Sequence, residues 1–327
     1  MNVPSINIRG LAVILIAVAL AACSTPATRE GLRTWQTQKE QPGAWLDLPL
    51  APGQIVVTGS VNTLDIFVGL IPETFNPYVH AGVIDIIDGE PWVYEEFGHR
   101  RLRLGGKPND SVVGRVKRVP LQDFLNRYFY IEIWEHSRLD RERIVAYARE
   151  QYKRATPFDA RFDHNDTEKL YCTEFVALAI EAGGADPVPV TPNRNNPSMR
   201  AGLDWLGVPD GIIQANSLVR SATKIATLSK HHSPTEIRLV TALKHELYRR
   251  FTCDQKLGNL FKWNLVVLNL REPVATFMRM GLELYSDRDG TPSDAEIETA
   301  VRQLANHIFG PMPQSAPVCE AGNGAML

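Results

Sequence analysis

The chain has 327 residues, 44% of them hydrophobic, and its 35 Lys and Arg against 37 Asp and Glu leave a formal charge of −2. That apolar content is enough for one or two buried cores. The near-neutral balance argues against a nucleic-acid binder that works by neutralising phosphates. No internal repeat, Gly-rich phosphate loop or zinc-ligand spacing is present, so no cofactor and no metal are expected.

In chain order, Arg9 precedes the apolar run Leu11 to Leu20, which leads into Leu20-Ala21-Ala22-Cys23. A short basic region, an apolar core and small residues before the cut predict a signal peptide over residues 1–22, and the run is too short for a comfortable membrane span. Leu-Ala-Ala-Cys resembles a bacterial lipobox, which implies cleavage before Cys23 and acylation of that residue. Ser24 follows it, and the same resemblance implies sorting to the outer membrane, facing the periplasm. The expected location is therefore the cell envelope, with the chain anchored stably by several acyl chains. Residues 23–50 are polar and read as a tether reaching on the order of 80–90 Å at about 3.3 Å per residue when fully extended.

Residues 51–215 read as the chemical unit. His80 to Ile87 predicts a strand running into Asp88-Gly89, a strong hairpin signal, with Pro91 to Phe97 as the return strand. A two-residue loop pairs Ile87 with Glu90, Ile84 with Val93 and Gly82 with Glu95. His80, Gly82 and Glu95 then share a face while Glu96 points the other way. A three-residue loop would exchange Glu95 for Glu96. Ser111 to Arg118 and Tyr128 to Trp134 read as strands, and Asp140 to Lys153 as a helix with Ile144, Tyr147 and Ala148 on one face. Phe175, Val176, Leu178, Ala179, Ile180 and Ala182 are too apolar for a surface stripe. They predict a buried helix that opens at Cys172 and stops at Gly183-Gly184.

A cysteine at a helix N-terminus faces unpaired amides that favour thiolate, which makes Cys172 a candidate nucleophile. His80 is the candidate base and Glu95 the carboxylate that orients it. The bland alternatives are an inert buried thiol and a solvated edge histidine beside a surface glutamate. His164, eight residues before Cys172, is a second candidate base without an evident rigid support. The backbone N–H of Cys172 is a candidate oxyanion donor, and Tyr171 lines the cleft or fills the core. Pro187 to Pro197 is expected to cross the surface.

Residues 216–327 read as a helical extension. Ser233-Pro234-Thr235-Glu236 and Ser293 to Glu296 are capping boxes, the first followed by Ile237, Val240, Leu243, Leu247 and Phe251 on one face. Asp287 to Gly290 faintly resembles a calcium loop, but Tyr285 and Pro292 occupy positions that such a loop needs for other residues, and a plain helix start is the expectation. His231-His232 reads as a polar loop. Of the four cysteines, Cys253 and Cys319 remain as a candidate disulfide in an oxidising compartment.

His80-Ala81-Gly82-Val83, the glutamate fifteen residues on, and Tyr171-Cys172-Thr173-Glu174 opening a helix together resemble the circularly permuted branch of the NlpC-type papain-like hydrolases, the YiiX/YaeF-like amidases. Pro52 to Val57 is similar to the family's first strand and Pro157-Phe158-Asp159 to the segment before the cysteine. The resemblance spans roughly residues 51–185. Gln54, where an acidic residue is common, and the long insertion from Ser60 to Tyr78 are departures. It implies an α+β fold: a small antiparallel sheet packed on the Cys helix in a permuted papain-like arrangement, with the C-terminal helices added. It also implies a cysteine hydrolase with Cys172, His80 and Glu95 as matched positions. An envelope location directs that activity to peptide amides of the cell wall. The same residue order is found in acyl-lipid hydrolases and acyltransferases, whose usual second histidine falls at Trp92 here. A catalytically silent lipoprotein that binds cell-wall peptides is the third reading.

Overall fold

The structure is a computed structural model that describes residues 48–100, 112–193, 200, 203–204, 208–254, 260–264, 267–286 and 291–312. Residues 1–22, on which a signal peptide is expected, Cys23, most of the expected tether, residues 287–290 and Cys319 lie outside the described residues, as does the side chain of Cys253.

The fold is α+β, built on an antiparallel sheet of six strands in the order β4-β3-β2-β1-β5-β8. These are β1 (Ile55–Gly59), β2 (His80–Ile87), β3 (Glu90–Arg100), β4 (Val112–Pro120), β5 (Tyr130–Glu135) and β8 (Thr223–Leu228). Central β1, Ile-Val-Val-Thr-Gly, is buried along its whole length, which is what a strand covered on both faces requires of its sequence. The β2–β3 hairpin has the expected register, Ile87 opposite Glu90 and Ile84 opposite Val93. Asp88 and Gly89 take the positive φ values of 54° and 82° that a tight two-residue turn needs.

Each face of the sheet has its own cover. Ile55, Val57, Ala81, Val83, Tyr94 and Val116 pack under helices α3 (Arg141–Arg154) and α4 (Cys172–Ala182), whose Ile144, Val145, Ala148, Phe175, Val176 and Ile180 complete the cluster. Val56, Ile84, Val93, Ile131 and Ile133 pack on the opposite face under the short helix α2 (Leu121–Leu125). Helix α3 starts at an Asp140 cap that accepts from Arg143 N at 3.1 Å and ends at Ala155, which adopts a left-handed conformation. Helix α4 ends at Gly183, and Gly184 follows at φ 101°.

The insertion between β1 and β2 carries helix α1 (Thr63–Leu70), and a two-stranded ribbon, β6 (Val190–Pro192) and β7 (Gly211–Ile213), follows α4. The extension is not purely helical. Helices α5 (Pro234–Asp254), α6 (Glu272–Leu282) and α7 (Asp294–Phe309) are joined by a hairpin of β9 (Phe261–Asn264) and β10 (Val267–Leu270). Both capping boxes form, with Ser233 N bonded to Glu236 at 2.7 Å and Ser293 N to Glu296 at 2.7 Å. A third apolar cluster joins α1 to these helices through Ile66, Leu70, Leu243, Leu247, Phe277 and Ile297. Strand β8 belongs to the sequence region read as extension, yet it is an edge of the main sheet beside β5.

Candidate active site

Helix α4 ends beside the start of α3, where Asp140 N donates to Gly183 O at 2.9 Å. That is the end of the sheet where β5 finishes and β1 begins, with Trp134 opposite Ile55. Its eleven residues span roughly 16 Å at about 1.5 Å per residue, about the length of β1. Cys172 therefore opens α4 at the other end, where β1 closes at Thr58 opposite His80, the first residue of β2. Chain direction alone brings a helix N-terminus and a strand histidine to one end of the sheet.

His80 and Glu95 meet as the register requires. The His80 Nε2–Glu95 Oε2 separation is 2.8 Å, and the two side chains are 2% and 0% exposed. Glu95 Oε1 accepts from Arg127 Nη2 at 2.5 Å and lies 3.4 Å from Lys117 Nζ. The imidazole stacks on Phe124 (centroids 5.9 Å) and Tyr128 (5.7 Å), with the Phe97 edge at 6.3 Å. Burial pushes the Glu95 carboxyl up, but the hydrogen bond from His80 and the charges of His80, Arg127 and Lys117 outweigh it and bring it down to about 2. Burial dominates at His80 and lowers its pKa in spite of Glu95. The pair is thus a neutral imidazole on an ionised carboxylate. Since the carboxylate can only accept, Nε2 carries the proton and Nδ1 the lone pair.

Cys172 is half-buried and its thiol is free. Among the described residues no hydrogen bond joins it to His80. His80 and Glu95 project from the α2 face of the sheet, and α4 lies on the other. The amides of Thr173 and Cys172 act on the sulfur in the thiolate-favouring direction expected of a helix start. Desolvation is the larger effect, however, with Glu96 and Glu95 adding to it, and the thiol is pushed up to about 12. The expected resting thiolate is therefore a thiol, because the helix N-terminus supplies less than burial removes.

Tyr171 is the cap residue of α4 and is 1% exposed, its hydroxyl accepting from Ile213 N at 3.0 Å. Thr173 Oγ1 donates to Ile213 O at 2.6 Å. The two residues flanking Cys172 thus clamp it to β7, and Tyr171 is a core residue rather than a cleft wall. Glu174 accepts from Tyr171 N at 3.2 Å. His164 is half-buried in the loop before α4. His232 is not in a polar loop: it is buried and stacks on Phe129 with centroids 3.4 Å apart.

The sequence reading missed Arg127 and Lys117. Lys117 sits directly opposite Glu95 in the β3–β4 register, so pairing those two strands would have found it. Arg127 comes from the turn after α2, 32 residues from Glu95, and no periodicity announces it. Glu96 lies on the opposite face, as the register predicts, but alternation does not give its depth, and it is 0% exposed.

No family model matches the chain, and no curated protein matches it significantly. Among solved structures, it is similar to the metalloprotein yiiX from Escherichia coli O157:H7, at 17% identity and a TM-score of 0.42, over 55% of this chain and 98% of that one.

Proposed function

We infer that the chain is a cysteine hydrolase that cleaves amide bonds, with Cys172 as nucleophile, His80 as base and Glu95 as the group that orients the base. The observation that carries this reading is the buried His80–Glu95 pair at 2.8 Å, at the end of the sheet where α4 begins with Cys172. A carboxylate held by an arginine and a lysine fixes the imidazole in one tautomer, and the ring stacking fixes its plane. That is the preorganisation general-base catalysis requires. A thiol rather than a resting thiolate means that Nδ1 takes the proton as sulfur attacks the carbonyl carbon. The resulting imidazolium, stabilised by Glu95, then protonates the leaving amine, and water releases the acyl group from sulfur. Because His80 stacks on Phe124 and Tyr128 on one face of the sheet while α4 packs on the other, bringing Nδ1 to Sγ requires a rearrangement at this end of the sheet when substrate binds, a larger change than the usual tightening of a catalytic hydrogen bond. The Cys172 amide, one of the first-turn donors of α4 without a helical acceptor, is placed to meet the developing oxyanion.

We propose the substrate class from access alone: the lipid anchor expected at Cys23 and the polar segment after it would hold the catalytic unit within reach of cell-wall peptides. The test is to incubate the purified protein with labelled peptidoglycan fragments and, separately, with phospholipid vesicles. Peptide release by the wild type, reduced about 10³-fold or more in Cys172→Ala and His80→Ala, is expected. Turnover of lipid alone would replace the amidase by an acyl-lipid hydrolase, and turnover of neither would leave an envelope-binding lipoprotein.

A further inference from the structure

Glu96 is a buried titratable group that the mechanism above leaves unused. Continuing the β2–β3 register beyond Val83–Tyr94 sets Glu96 beside Ala81, on the face of the sheet that α4 covers, at the end where Cys172 lies. Its neighbours on that face fix the direction. Val116, its partner on β4, belongs to the α4 core. A Cβ on Gly98, two residues on, would meet the Phe158 ring at 2.6 Å, in the segment leading to α4. Glu96 is 0% exposed, and among the described residues neither of its carboxyl oxygens has a hydrogen-bond partner. The Phe97 amide of its own strand is near it without making a bond.

An ionised carboxylate without a partner is too costly to bury, so such a group stays protonated. Three charged or titratable groups act across this position. Glu95, next in sequence, opposes ionisation of Glu96; Lys117 on β4 favours it; and Cys172 on α4 responds to it. Glu174, also on α4, is turned to the Tyr171 amide. The histidine site on the other face of the sheet is fully supplied by Glu95, so Glu96 is not a spare member of it.

We propose that Glu96 is a positioning residue for Cys172 from its own side of the sheet: a buried carboxylic acid whose ionisation holds the thiol protonated and so limits the site's reactivity on the alkaline side. The inference deepens the reading of Cys172 as a nucleophile. Its physical basis is one unit of negative charge appearing close to a sulfur that must itself become negative. Burial pushes Glu96 up to about 9, so the charge appears above neutral pH. Of the acidic groups that raise the Cys172 thiol, Glu96 acts more strongly than Glu95.

The experiment is alkylation of Cys172 by iodoacetamide in the full chain, read by mass spectrometry of the Cys172 peptide between about pH 6.5 and 9.5, the range across which Glu96 ionises. Glu96→Gln is expected to match the wild type at the acid end and to alkylate roughly tenfold faster at the alkaline end, the effect of about one pKa unit on the thiolate fraction. Glu96→Met, similar in shape and equally unable to ionise, is expected to do the same should the amide of Gln disturb folding. Glu96→Asp is expected to restore the wild-type profile. A rate ratio that is flat with pH in the Gln and Met variants would mean a loosened core rather than a lost charge, and would overturn the proposal. So would no difference at any pH. Substrate turnover is not read here, so a protein that alkylates as expected but hydrolyses nothing defeats the hydrolase reading alone.

Discussion

At the scale of single residues, Glu95 and Glu96 show how one peptide bond separates two opposite electrostatic outcomes. Both are fully buried, but Glu95 has an imidazole, a guanidinium and an ammonium around it, and Glu96 has no hydrogen-bond partner among the described residues. The first is driven down to about 2 and the second up to about 9. Linkage gives the consequence for Glu95. Its folded pKa lies below the ordinary value of 4.5, so its stabilisation is complete above that value and is lost as pH falls from there towards 2. The amount is about 3 kcal/mol. His80, lowered by burial, also favours unfolding once acid begins to protonate the unfolded chain below its ordinary 6.5. Glu95→Gln should therefore flatten the loss of stability between roughly pH 4.5 and 2, as read by urea unfolding at several pH values. It should also cost about 10²- to 10⁴-fold in turnover, the range seen when an orienting carboxylate is removed. Unaltered turnover would dismiss Glu95 from the site.

At the scale of elements, the β3–β4 pair is held in place by what it omits. Gly98 and Gly114 face each other across the ladder, and Phe158 lies over both. A Cβ on Gly114 would come within 2.2 Å of Phe97 O and 2.6 Å of Gly98 Cα, both of them backbone. Backbone cannot swing aside as a side chain can, so Gly114→Ala should destabilise by about 3 kcal/mol, the upper range for overpacking. It should also displace Phe158 and the segment that leads to Cys172. Thermal unfolding and the Cys172 alkylation rate would both move. A variant with wild-type values of each would show that the strands yield more easily than their spacing allows. The two capping boxes behave differently: Ser-x-x-Glu closes within four residues and needs no distant partner. That is why they read correctly from the chain, whereas the crowding above Gly114 did not.

At the scale of the whole molecule, the C-terminal helices support the approach to His80. Lys244 on α5 is buried and donates to Pro77 O at 2.6 Å, three residues before the histidine. Tyr248 on the same helix donates to Glu73 O. Burial lowers Lys244 to about 8 in spite of the nearby Asp65 on α1, a cost the fold accepts to tie α5 to that segment. With β8 as an edge of the sheet and α1 buried against α5 to α7, residues 51–215 alone would leave β5 without its outer partner and the apolar face of α1 uncovered. A fragment ending at residue 215 should fail to unfold cooperatively in a circular-dichroism melt; a sharp transition near that of the full chain would show the extension to be dispensable. The sequence by itself narrowed the hairpin to two registers, because a period of two fixes the faces once the turn length is known, and the two-residue Asp88-Gly89 turn of the structure brings His80 to Glu95 rather than Glu96. It also determined where α4 starts and stops, since apolar runs and glycines act locally. Only the tertiary structure decided the protonation of Cys172, the burial of Glu96, the anchoring of Glu95 by Arg127 and the membership of β8 in the sheet. Each of those depends on desolvation or on contacts between residues far apart in the chain, which no local pattern encodes.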